Sequence, residues 1–268
     1  MRYLQRHIGL REECAKLLPG ARSAVCVALL YGRPRAESAA RATGRVAQYA
    51  RGRDYHVVVR RRLETLIAAL RERLDEPFEA RAFVDTGPIL ERELAAQAGI
   101  GWVGKNTLVL NQDLGSLFFL GEVLTTLDLA PDAPATDHCG SCTRCLDACP
   151  TGAFPAPYQM DASRCISYLT IERREPIPDA FHEAMGDWVF GCDICQDVCP
   201  FNRRAPAGRD PEIMEHRIPD RIPLETLVGL RSGEYRRLVR HTAARRATRA
   251  MWQRNAQIAA QNVGGAGG

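Results

Sequence analysis

The sequence predicts a mixed α/β and α+β fold laid out in three consecutive parts. These are a sheet domain over residues 1–130, a compact cysteine-rich domain over 131–205 and a helical segment over 206–268. Three observations carry that prediction. Short apolar strands alternate with amphipathic helical stretches between about 20 and 130. Eight of the ten cysteines fall between Cys139 and Cys199. The remaining stretch, 223–262, has helical periodicity and no strand pattern.

The elements follow in order. Residues 23–31 (Ser-Ala-Val-Cys-Val-Ala-Leu-Leu-Tyr) form a continuous apolar run closed by Gly32 and Pro34, which reads as a buried strand with Cys26 as a core residue. Residues 55–75 place Val58, Leu63, Leu66, Ile67 and Leu70 at helical spacing among arginines, giving an amphipathic helix. A short strand at 81–85 stops at Thr86-Gly87-Pro88, a helix follows over 89–98 to Gly99, and strands are expected near 106–111 and 116–120. Residues 130–137 are a Pro-rich linker. Helices occupy 223–262, ahead of a Gly-rich tail from Gly264.

Composition sets bounds on function. The chain has 268 residues, 46% hydrophobic and 25% charged, with a net charge of +4, ordinary for a globular protein. No apolar run approaches the ~20 residues of a membrane span, and the N-terminus lacks the apolar stretch of a signal peptide. A cytoplasmic, non-membrane protein is therefore expected, in a compartment where cysteines serve as metal ligands more often than as disulfides. Only Lys16 and Lys105 among the 36 basic residues are lysines, and seven arginines meet one acid over 234–262.

The cysteine spacing is the strongest signal. Cys139-x2-Cys142-x2-Cys145-x3-Cys149-Pro150 is the bacterial ferredoxin pattern, whose fourth cysteine serves the other cluster in two-cluster proteins. Cys192-x2-Cys195-x3-Cys199-Pro200 ends in the same way, and Cys165 lies between the two. The spacing predicts two [4Fe–4S] clusters. Cys139, Cys142, Cys145 and Cys199 hold one; Cys149, Cys165, Cys192 and Cys195 hold the other. Paired structural zinc sites also use C-x2-C, but two Cys-x3-Cys-Pro endings argue against them. Gly99-Ile-Gly101-Trp-Val-Gly104-Lys105-Asn106 mimics a nucleotide-binding loop. A helix precedes it and a strand follows, the reverse of what phosphate binding needs.

Several longer strings carry a resemblance. Tyr49-Ala-Arg-Gly-Arg-Asp-Tyr-His56, Phe83-Val-Asp-Thr-Gly-Pro-Ile-Leu-Glu91, Gly99–Asn106, Cys165-Ile-Ser-Tyr-Leu-Thr-Ile-Glu172 and Gly191-Cys-Asp-Ile-Cys-Gln-Asp-Val-Cys-Pro200 are similar to epoxyqueuosine reductases, over residues 3–262. The resemblance implies a cobalamin enzyme with two [4Fe–4S] clusters that reduces epoxyqueuosine to queuosine in the tRNA anticodon loop. Its partners would be tRNA and an unidentified electron donor, and it would be a monomer. Against that family the chain is expected to be short at both ends, with a smaller sheet and weaker tRNA binding. The rival readings are another corrinoid iron–sulfur reductase, such as a reductive dehalogenase, and a ferredoxin-like electron carrier.

Residue roles follow from the match. Asp85 matches the proton donor; a free Asp titrates near ~3.9, so protonation near neutrality requires desolvation. From the residues alone, Asp85 could equally cap the helix beginning near Pro88. Cobalamin contacts are expected from Asp54, Tyr55, His56, Lys105, Asn106, Thr107, Ser116, Ser167, Asp193 and Gln196, with His56 a conceivable axial ligand. The basic end, including Arg245, Arg246 and Arg254, is expected to meet tRNA phosphates, and Trp252 is either core or a base-stacking platform.

Overall fold

In a computed structural model of the chain, the described residues are Gly9, 14–33 and 42–265. The expectations placed on Pro34 and on residues 266–268 lie outside them. The elements, in chain order, begin with β1 (Ser23–Leu30), β2 (Thr43–Val46), α1 (Tyr55–Arg73), β3 (Ala80–Phe83) and α2 (Glu91–Gln97). Then come β4 (Trp102–Val103), β5 (Val109–Leu110), β6 (Phe118–Thr125), α3 (Arg144–Asp147) and α4 (Ile166–Ile171). The chain continues through β7 (Trp188–Phe190), α5 (Ile194–Asp197), β8 (Arg221–Pro223), α6 (Leu224–Val228), α7 (Ser232–Leu238) and α8 (Arg249–Gly265). Among the described residues no helix is long and apolar enough to cross a membrane.

Three small sheets organise the molecule. The first has the order β1-β6-β3 and is antiparallel throughout. That geometry changes the reading of β1. Its apolar run suggested a strand buried on both faces, yet it is a half-buried edge strand along its whole length. The buried member is β6, which the sequence pattern cuts short at 120. Gly121 breaks its apolar run, but α1 packs so close there that a Cβ would lie 2.7 Å from Val59. Helix α1 presents Val58, Val59, Leu63 and Ile67 to this sheet and keeps its arginines outward.

The second sheet has the order β7-β2-β8, so one strand from each of the three sequence segments meets in it. Behind it, α8 buries Trp252 completely, its indole stacked on Phe190 at 5.2 Å. Trp252 is therefore core and no base-stacking platform; truncating such a residue costs about 3–5 kcal/mol. Of the helices expected over 223–262, the arginine-bearing stretch forms two, α7 and α8, separated by a turn in which His241 takes φ +58°.

The third sheet is the β4–β5 hairpin, and it accounts for the glycine-rich loop. A side chain at Gly101 would collide with the Leu110 carbonyl, and the Gly104 N–H donates to the Leu108 carbonyl at 2.8 Å. The glycines serve a tight hairpin after α2, which is why they imitate a phosphate loop without forming one.

Candidate active site and cluster sites

Asp85 stands two residues beyond β3 with φ +50°, a left-handed conformation that non-glycine residues seldom adopt. It does not cap α2, whose first turn begins at Glu91 after Leu90. Its carboxylate accepts from the Tyr55 hydroxyl at 2.5 Å and from His56 Nε2 at 3.0 Å. The other ring nitrogen, His56 Nδ1, lies 2.7 Å from Asp54 Oδ1. Asp54 also caps α1 by accepting the His56 N–H. Tyr55 is stacked between Phe119, at 4.2 Å, and the His56 ring, at 4.1 Å.

Charge in this cluster follows from the contacts. Burial lowers the His56 pKa, but hydrogen bonds to Asp54 and Asp85 and their charges outweigh it and lift it to about 9. Both ring nitrogens are thus engaged by carboxylates, Nδ1 by Asp54 and Nε2 by Asp85. Burial raises the Asp85 pKa, but the bonds from His56 and Tyr55 prevail and hold its carboxyl below the usual range. This differs from the expected desolvated, protonated acid: the side chain is 54% exposed, and the bonds it accepts favour the carboxylate form.

Two carboxyl groups that sequence reasoning missed lie behind Asp85. The Asp85 N–H donates to Glu91 Oε1, and Glu91 faces the wholly buried Glu122 of β6. Glu91 ends one of the resemblance strings, whereas nothing in the sequence marked Glu122.

The eight cysteines fall into two groups. Cys139, Cys142, Cys145 and Cys199 line one cavity of about 110 Å³ together with Lys105, Asn106 and Phe201. Burial and then the neighbouring thiolates of Cys199, Cys139 and Cys142 push the Cys145 thiol up. Cys192 and Cys195 are raised by burial and by each other's neighbourhood, which includes Cys165. Cys195 also feels Cys145 and Cys149, so the groups adjoin. Crowded, mutually repelling thiols suit cationic iron, which relieves both penalties. Trp102 Nε1 donates to Cys139 Sγ at 3.3 Å, and the Ala153 N–H donates to Cys149 Sγ at 3.3 Å, bonds of the kind that tune cluster potentials.

Between α3 and α5, which carry cysteines of both groups, opens a cavity of about 990 Å³. Gln48, Gln196, Asn202, Arg33, Arg144 and Arg203 line it. Asp147 and Asp197 line it too, so its wall mixes donors with carboxylates. The volume and the amide and guanidinium donors suit a large ligand rich in amide and phosphate oxygens.

The expected cobalamin contacts disperse around this framework. Gln196 lines the large cavity and donates to Ser116 Oγ at 3.1 Å, so these two lie together. Asp193 accepts the Gln48 N–H at 2.8 Å just behind. Asp54, Tyr55 and His56 belong to the acid cluster. Lys105 donates to the carbonyls of Gly140 and Cys142, at 2.5 and 3.0 Å, which fastens it to the first cysteine loop. Asn106 sits beside it, its Nδ2 buried without a partner among the described residues. Thr107 takes φ +63°, a strained conformation for a β-branched residue, and Ser167 hydrogen-bonds to Cys165.

The arginines divide as well. Arg245 lies 3.6 Å from Asp54 and Arg246 pairs with Glu172 at 2.7 Å, both exposed and both beside the acid cluster. Arg254 was expected at a nucleic-acid surface. It turns inward and donates to the carbonyls of Leu169, Arg173 and Glu175, where the end of α4 needs donors.

Two adjoining cysteine groups beside a large cavity and an acid cluster define an iron–sulfur oxidoreductase. Residues 138–202 match the family described as 4Fe-4S double cluster binding domain, and residues 11–86 match epoxyqueuosine reductase QueG, DUF1730. An epoxyqueuosine reductase of Synechocystis is 43% identical over 249 residues, covering 92% of this chain and 86% of its own. One of Xanthomonas campestris is 40% identical, covering 99% and 76%. A crystal structure of epoxyqueuosine reductase with an epoxyqueuosine-modified tRNA-Tyr stem loop superposes with a TM-score of 0.87 at 35% identity, over 96% of this chain and 68% of that one. A Bacillus subtilis structure, whose catalytic aspartate loop is swung out of the active site, gives 0.83 at 34% over 93% and 67%. The chain belongs to the epoxyqueuosine reductase family.

Proposed function

We propose that this chain reduces epoxyqueuosine to queuosine in the anticodon loop of tRNA, using cobalamin and two [4Fe–4S] clusters. The observation that carries the reading is the acid cluster: a carboxylate held on strained backbone between a tyrosine and a histidine, in the same chain as two four-cysteine groups.

Reducing an epoxide to an alkene consumes two electrons and two protons and releases water. When bound, the clusters supply single electrons and cobalamin supplies a strong low-valent reductant. The residues of the chain handle the protons. His56, the cation behind Asp85, passes its proton across the 3.0 Å bond to the carboxylate, and Asp85 relays it to the departing epoxide oxygen. Tyr55, whose hydroxyl burial and the Asp85 charge keep protonated, holds the carboxylate in line. The family resemblance and the donor set of the 990 Å³ cavity support cobalamin there, with Gln196 in its wall and Ser116 holding that amide from behind. Bound between α3 and α5, such a ligand would have both cysteine groups as neighbours.

For tRNA, Arg245 and Arg246 stand beside Asp54 and Glu172 and would clamp phosphates next to the acid cluster. Arg254, committed to carbonyls, has no part in this. The test is anaerobic turnover of an epoxyqueuosine-modified tRNA stem loop by the reduced, cobalamin-loaded protein, read by nucleoside mass spectrometry. Queuosine formation supports the reading; unaltered epoxyqueuosine with both clusters and cobalamin in place refutes it.

A further inference from the structure

Three carboxyl groups run in file from the cleft into the sheet. Asp85 is at the surface, Glu91 in the first turn of α2 accepts the Asp85 N–H, and Glu122 stands at the centre of β6, wholly buried. In register, Glu122 lies between Cys26 of β1 and Phe83 of β3. The charged groups near the file are Asp85 and His56.

Neither carboxyl oxygen of Glu122 meets a donor among the described residues. An ionised carboxylate so placed would lose its hydration with nothing to replace it, and it would also repel Glu91. One proton resolves both difficulties. A protonated Glu122 donates to Glu91, which gives the pair the hydrogen bond that two ionised carboxylates cannot make. It also leaves a Glu91 oxygen free for the Asp85 N–H. Burial first, and then the negative charge of its neighbours, push both carboxyls up, which agrees with this arrangement.

We infer that Glu91 and Glu122 share one proton and act as a positioning device, anchoring the backbone of Asp85 in the left-handed turn that aims its carboxylate at Tyr55 and His56. The effect on turnover rests on Asp85 being the proton-delivering acid; the shared proton does not. A residue at φ +50° needs an external hold, and the Asp85 N–H has Glu91 as its partner.

The experiment uses the full chain with both clusters and cobalamin, as wild type, Glu122→Gln and Glu122→Leu. The first readout is the infrared difference spectrum at neutral pH, where wild type should show a protonated carboxyl band that Glu122→Gln lacks. The second is turnover of the modified tRNA stem loop. Glu122→Leu keeps the volume but removes the donor, and it should lower kcat by about 10–100-fold, the size of a small misplacement of a catalytic group. KM should stay within about twofold. Glu122→Gln still offers an N–H to Glu91 and should recover most of that loss. Absence of the band in wild type, or equal kcat in the two variants, would overturn the inference. Full activity in Asp85→Asn would instead remove the assigned role of Asp85 and leave the band difference intact.

Discussion

Replacing Asp54 by Asn changes one charge and little else. Asn caps a helix about as well as Asp, so the start of α1 survives, and its side-chain oxygen can still accept from His56 Nδ1. What disappears is one of the two negative charges that hold the proton on His56. Together those carboxylates lift His56 from 6.5 to about 9 against the opposing effect of burial. Each has a direct hydrogen bond and a charge, so removing one charge should lower the midpoint by about one unit, roughly 1.4 kcal/mol of proton affinity. The assay is a proton NMR titration of the His56 ring, assigned by its absence in His56→Gln. A midpoint near that of wild type would refute the reasoning, since the Asp54 charge would then have no hold on the imidazole. Stability gives a second check with a fixed sign. The folded pKa of His56 is raised, so its contribution is complete below pH 6.5 and is lost as pH climbs through about 9. The stability deficit of Asp54→Asn should therefore be largest below pH 6.5 for as long as Asp54 stays ionised, and shrink towards pH 9 and beyond.

Other outcomes follow from the same geometry. Asp85→Asn should keep both clusters and the ligand cavity yet lose roughly 10²–10⁴-fold in turnover, the usual worth of an acid–base group; iron analysis alongside kinetics checks it. Anaerobic protein should carry about eight iron and eight sulfide, and Cys199→Ser should damage the cluster of Cys139, Cys142 and Cys145 rather than the nearer Cys192–Cys195 site, as site-resolved electron paramagnetic resonance would report. Arg254→Ala should lower the melting temperature, because three carbonyls are deprived of a charged donor. Reversing Arg245 and Arg246 to Glu should instead leave the fold intact and flatten the salt dependence of tRNA binding, by roughly 0.7–0.9 in log–log slope for each phosphate that is no longer neutralised.

What the sequence disclosed depended on how local each signal was. Helix α1 was legible because its apolar residues recur on one face, and the cysteine groups because ligand spacing is itself local. Strand β2 was invisible. It is four residues, Thr-Gly-Arg-Val, and its partners β7 and β8 lie far along the chain. Strand β6 was cut short because Gly121 and Glu122 look like a break, when one makes room for α1 and the other is a buried acid. Arg254 shares a charge stripe with Arg245 and Arg246, and spacing could not reveal that carbonyls at the end of α4 claim it. The acid cluster was read through long similar strings. The charge state of Asp85 could not be: it depends on His56 standing between two carboxylates, an arrangement that joins the start of α1 to the turn after β3.

The central claim is that this chain, as it stands, performs epoxide reduction on tRNA through Asp85. The most direct measurement is mass spectrometry of nucleosides from tRNA of a reductase-deficient cell expressing either the wild-type chain or Asp85→Asn. The account predicts queuosine with wild type and accumulated epoxyqueuosine with the variant. Epoxyqueuosine in both, with iron and cobalamin bound, would contradict the proposed activity, and queuosine in both would contradict the role of Asp85.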